Sequence, residues 1–185
     1  LDPFAGSGTV LYEAASMRLS AFGYEINPSA WIFSKLYEFA SLPFAERDEV
    51  ISELRQRVDA EFPMVIFSEG ELTIDVIEER TFRIGESLSD RAKILFNALV
   101  VIVDMYNNRI TSDFVQSKFT ALAKLVRRLP CSDRQIKADL QDARDLPLRS
   151  QSVDFVITSP PYINVFNYHQ NYRRSVEVLG WNLLR

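Results

Sequence analysis

Residues 2–9 read Asp-Pro-Phe-Ala-Gly-Ser-Gly-Thr. Two glycines one residue apart stand between an apolar start, Leu1–Phe4, and a helical run with Val10, Leu11, Ala14, Ala15 and Met17 on one face. Strand end, tight loop and helix in that order define a βα unit. Glycine lets the backbone turn sharply and approach a ligand closely. The helix that follows brings unpaired N–H groups to the same place. Few other folds are compatible with such an opening.

A second strand is predicted in "LSAFGYEIN". Asn27-Pro28 then starts a helix, Asn as the cap and Pro in the first turn. Trp31, Ile32, Leu36 and Phe39 point inward, and the helix stops before Pro43. Glu25 closes the strand nineteen residues beyond Gly6. An acid at that distance accepts hydrogen bonds from ribose hydroxyls in Rossmann-type sites. The loop lacks the third glycine of a dinucleotide fingerprint. Asp2, at the strand end, would repel a pyrophosphate. It suits a cofactor carrying an ammonium or other positive charge, and S-adenosylmethionine carries both an ammonium and a sulfonium.

Near the other end, "VDFVIT" is an unbroken apolar run of the kind found in strands buried on both faces. It runs into Ser159, Pro160, Pro161 and Tyr162. Proline has no N–H, so this bend presents acceptors rather than donors. The Ser159 hydroxyl and the Pro160 carbonyl can take both N–H bonds of an exocyclic amine, whose lone pair is otherwise delocalised into the base ring. Tyr162 can stack on the base. A base inside a duplex must be flipped out to reach such a site.

"DPFAGSGT" and "TSPPY" together resemble motifs I and IV of the S-adenosylmethionine-dependent amino-methyltransferases that modify DNA at cytosine N4 or adenine N6. The stretch "ADLQDARDLPLRSQSVDFVITSPPYIN" is similar to their passage from motif III to motif IV. The resemblance spans roughly residues 1–40 and 135–170. It implies an α/β, Rossmann-like class I methyltransferase fold with a mainly parallel sheet. It implies S-adenosylmethionine as cofactor and double-stranded DNA with a flipped base as substrate, and it admits a restriction enzyme as partner. By the same resemblance, Glu25 holds the ribose, Ile26 packs beside the adenine, and Asp142 and Ala143 lie near it. Phe4, Ala5, Gly6 and Thr9 line the methionine end, with Asp2 and Gly8 completing the loop. Ser159, Pro160, Pro161 and Tyr162 are the implied catalytic residues. Serine at the first of these is more typical of cytosine N4 enzymes, aspartate of adenine N6 enzymes.

The expected organisation is a core of residues 1–43 and 131–185, with a mostly helical insertion at 44–130. About four of some seven strands are present in the core. The chain lacks an initiator Met and reads as a fragment of a longer protein. In the insertion, helices are predicted over Asp48–Phe62, Ser89–Asn107 and the amphipathic stretch ending at Pro130, while 63–86 reads as strand and loop. "RQIKADL" is a predicted strand. The net charge of −4 and a pI of about 5.1 do not describe a chain coated in phosphate-binding cations. Local cations do follow the proline turn: Tyr168, His169, Tyr172, Arg173 and Arg174 mix rings with charge and are candidate nucleic-acid contacts.

One cysteine, Cys131, excludes an internal disulfide and suits a reduced, cytoplasmic setting; it reads as a small apolar residue rather than a nucleophile. No apolar run is long enough for a membrane span. A lone His169 without ligand-spaced partners argues against a metal site. Two other readings stay open. "DPFAGSGTVLYEAA" also resembles motif I of RNA guanine-N2 methyltransferases, whose catalytic motif usually begins with Asn or Asp. A non-catalytic subunit with this fold is the third. The oligomeric state is open.

Overall fold

The computed structural model describes residues 1–64, 70–160 and 172–181. These divide into two units: Leu1–Phe44 with the stretch from Leu129, and Ala45–Arg128 with the stretch from Tyr172.

The first unit is built on a parallel pair, β1 (Ala21–Glu25) and β2 (Ile136–Leu140), in register from Ala21 opposite Ile136 to Glu25 opposite Leu140. Asp2 extends the pairing by a parallel bridge to Gly23. Its N–H donates to Phe22 O at 2.9 Å, and its carbonyl accepts from Tyr24 N at 2.9 Å. On the far side, Leu1 N donates to Phe155 O at 2.9 Å and Ile157 N donates to Leu1 O at 3.0 Å. The backbone order is therefore β2, β1, Leu1–Asp2, then residues 155–157.

Helix α1 (Thr9–Ser16) lies on the sheet through Leu11 and Ala15, which join Ala21, Ala40, Ile136 and Ala138 in one core. Gly23 permits this closeness: a Cβ there would lie 2.9 Å from Ala5 Cβ and 3.0 Å from Leu11. Helix α2 (Pro28–Lys35) starts as its sequence predicts. The Asn27 side chain accepts from Ser29 N at 3.0 Å and Pro28 opens the first turn. A 3-10 segment, Leu36–Ser41, continues it. Lys35 and Glu38 then cover the free side of β2. Glu38 accepts from Ala138 N at 2.8 Å, while Lys35 donates to Ala138 O at 3.0 Å and to Glu38 at 2.7 Å. The chain leaves this unit and returns to it at one seam. Ser132 N donates to Ala40 O, and the Ser41 hydroxyl donates to Arg134 O, both at 2.8 Å.

Three expectations for this unit need correction. Met17 does not join the inward face; it caps α1 and is exposed, because the helix has already ended. "VDFVIT" is not a strand buried on both faces. Phe155 is 69% exposed and Ile157 53%, because the segment has a single backbone neighbour, Leu1, among the described residues. Among the described residues the sheet thus has two strands plus a bridge, where four strands are expected from sequence. Cys131 is exposed.

The second unit is helical: α3 (Phe44–Glu61), α4 (Ile74–Glu86), α5 (Asp90–Val103), α6 (Ser112–Arg128) and α7 (Arg173–Val178). Val50, Ile51, Leu54 and Val58 of α3, Leu95, Leu99 and Val103 of α5, and Val115, Phe119, Leu122 and Val126 of α6 recur at helical spacing and are buried. Helix α4 occupies Ile74–Glu86 of the stretch 63–86 where strand and loop are expected from sequence, of which 65–69 lie outside the described residues. Ile77, Thr81 and Ile84 supply a buried stripe, and Arg83 pairs with Glu79 and Glu61 at 2.8 Å each. The stretch from Tyr172 groups with these helices. Ser175 donates to Asp104 at 3.0 Å, and the Arg174 guanidinium lies over the Tyr106 ring.

Candidate functional site

Asp2 is 4% exposed at the end of the bridged segment. Its Oδ1 accepts from Phe4 N at 3.1 Å and from the Thr158 hydroxyl at 2.7 Å. The chain then turns through Gly6 and Gly8, both with positive φ, into α1. Glu25 closes the loop from below: its carboxylate accepts from Gly6 N and from Asn27 N, each at 2.8 Å. One side chain thus fixes the glycine loop and the start of α2 together. Nothing lies within 4 Å of where a Gly6 Cβ would be, so the loop's outer side is open.

Beside the loop is a cavity of about 290 Å³ lined by Pro3, Phe4, Ile26, Gln141, Asp142, Ala143 and Arg144. Four of these, Phe4, Ile26, Asp142 and Ala143, are candidates from sequence, and the parallel register brings them together. Arg144 grips Asp142 by both carboxylate oxygens, Nε at 3.0 Å to each and Nη2 at 2.5 Å to Oδ2. Those side-chain bonds, and the Arg144 backbone N–H, pull the Asp142 carboxyl down to about 2.

The remaining candidates fall as follows. Asp2, Ala5 and Gly8 are buried, and Thr9 opens α1 at the surface. Ser159 and Pro160 are exposed and directly follow Thr158. Pro161, Tyr162, Tyr168 and His169 lie outside the described residues. Arg173 and Arg174 belong to the helical unit. Arg173 donates to Glu177 at 2.8 Å, and Arg174 lies 5.4 Å from the Tyr106 ring centre. Among the described residues no cluster of three potential ligands could hold a metal.

Two residues of the site escape sequence reasoning. Thr158 reaches Asp2 across 156 positions, which no local pattern encodes. Arg144 follows Asp142 by two residues, a spacing that an Asx-type turn could have suggested.

The donor set fits S-adenosylmethionine. A buried carboxylate suits an ammonium, a carboxylate at a strand end suits ribose hydroxyls, and an apolar-walled cavity next to an acid suits an aminopurine. Parallel strands, a glycine loop and acids at the strand ends are consistent with a Rossmann-like fold. A family model for the RMKL-like methyltransferase domain matches residues 1–174. The chain belongs to that family, and it is a methyltransferase domain. S-adenosylmethionine use follows from that membership in general terms. No curated protein and no solved structure gives a significant match. Among the described residues, no helix is long and apolar enough to cross a membrane.

Proposed function

We propose that this domain moves a methyl group from S-adenosylmethionine to an exocyclic amino group of a nucleic-acid base, cytosine N4 in DNA. The observation that carries the reading is the join between the two motifs. Leu1 pairs with Phe155 and Ile157, and Thr158 donates to Asp2, so the glycine loop and the Ser159-Pro160 turn stand at neighbouring chain ends. Donor and acceptor sites on adjacent strand ends meet the requirement that reacting atoms be held together in line.

S-adenosylmethionine, when bound, supplies an electrophilic methyl on a positively charged sulfur. Asp2 holds the ammonium, and Glu25 accepts from the ribose through lone pairs left over from its two backbone bonds. Ile26 takes the adenine, and Phe4, expected at the methionine end, shares its cavity wall. Ser159 Oγ and Pro160 O each accept one N–H of the target amine, which favours a pyramidal nitrogen with an available lone pair. An amine held in this way would be placed to take the methyl that the bound cofactor would supply, and its extra proton, made acidic by methylation, would pass to solvent water. No strong base is needed.

A second reading, guanine N2 in RNA, is favoured by one finding: the matching family includes RNA guanine-N2 methyltransferases. Ser159 favours the first. Mass spectrometry of nucleosides after incubation with duplex DNA or structured RNA separates them. N4-methylcytosine supports the first reading, N2-methylguanosine the second. N6-methyladenine points to the adenine N6 variant, and no product removes the enzymatic reading.

A further inference from the structure

The Thr158 hydroxyl does more than terminate a segment. Residues 153–160 are held to the parallel sheet by two backbone bonds to Leu1 and by the Thr158–Asp2 bond at 2.7 Å. The first two lie upstream of the turn. Only the third reaches the residue next to Ser159. Its acceptor is the buried carboxylate that faces the methyl donor in the function proposed above, on which this inference rests.

We propose that Thr158 is a positioning residue that couples occupancy of the methyl-donor site to the geometry of the acceptor turn. Both hydrogen bonds to Asp2 among the described residues fall on Oδ1. The ammonium of a donor therefore has Oδ2 to approach. An ion pair formed there fixes the carboxylate, and a fixed carboxylate fixes the Thr158 side chain. Ser159 and the Pro160 carbonyl follow directly. The turn is then ordered when a methyl donor is present and looser when it is not. Serine would retain the linkage; valine, of nearly the same shape, would break it.

The test is hydrogen–deuterium exchange of residues 153–160 in the intact protein, with and without S-adenosylmethionine, beside calorimetric titration of the same cofactor. In the native protein and in Thr158→Ser, the cofactor should slow exchange about fivefold or more, the lower end of a typical coupling. In Thr158→Val that protection should vanish, while the cofactor still binds. A Thr158→Val protein that keeps the protection overturns the proposal. So does a native protein that shows none. A valine variant whose exchange rises equally with and without cofactor, with its protection ratio intact, shows a static tie and also overturns it. No cofactor binding by the native protein would instead remove the function on which the inference stands.

Discussion

Gly8 sits against Tyr37 and Ser34 with no room for a side chain. A Cβ would lie 2.5 Å from Tyr37 Cδ2 and 2.9 Å from Ser34 Cα, and its φ of 95° already disfavours other residues. Backbone strain and overpacking add, so Gly8→Ala should lower stability by about 2–5 kcal/mol in denaturant unfolding. Tyr37→Ala in the same chain should recover part of this, since the ring can be removed but the Ser34 backbone cannot. Gly6→Ala meets only the backbone term, about 1–2 kcal/mol.

Glu25 holds two backbone N–H groups that belong to different elements. Glu25→Ala frees Gly6 N and Asn27 N, so the loop loses its fixed shape before any ribose contact is considered. Cofactor affinity should fall about tenfold or more, as expected for hydrogen bonds to a charged group. Calorimetric titration with S-adenosylmethionine measures it. Unchanged affinity would remove Glu25 from the site.

Asp142 should remain ionised far into acid. Its carboxyl lies at about 2 against an ordinary 3.8, chiefly through the Arg144 side chain. A depressed pKa contributes stability above the ordinary value and loses it as pH falls through about 2. Because the pair is exposed, that contribution is small. The firmer readout is carboxyl NMR: Arg144→Ala should return the Asp142 titration toward 3.8.

Tyr106 titrates late, at about 12, because burial and its hydrogen bond to Glu78 both favour the neutral phenol. The stabilisation is present below the ordinary value of 10.0 and is lost as pH rises through about 12. Burial also raises Tyr24 and Tyr37, so phenolate absorbance should show several late groups in the native protein, with a component near 12 from Tyr106. Tyr106→Phe should abolish that component, and Glu78→Gln should move it down.

Glu38 and Lys35 occupy the backbone groups of Ala138 on the free side of β2. Glu38→Ala leaves the Ala138 N–H without its acceptor, at about 1–3 kcal/mol. Glu38→Gln keeps an acceptor oxygen and should cost less. Denaturant unfolding compares them, and light scattering should show more self-association in the alanine variant, as an unpaired strand edge invites.

Local features were legible from sequence. Asn27-Pro28 carries its cap within two residues, and "RQIKADL" shows its strand in local alternation, although β2 itself forms by pairing with β1. The cavity candidates Phe4, Ile26, Asp142 and Ala143 could be named because the motifs around them resemble those of amino-methyltransferases. Nonlocal features were not. Helix α4 hides in a run rich in Glu and Arg, and Arg83 finds Glu61 twenty-two positions away. "VDFVIT" looked buried because apolar runs usually are, but burial belongs to neighbours and not to the run itself. Thr158 was passed over because its partner stands at the opposite end of the chain.

The seam at Ala40–Ser132 has an architectural consequence. Because hydrogen bonds close it on the sheet side, the sheet meets everything between as a single loop, and closure entropy grows only slowly with loop length. The length of chain between these two points can therefore change at little entropic cost to the pairing of β1 with β2. That makes this seam the natural splice point for evolution or for an engineer who wishes to attach a different accessory module to the same catalytic framework.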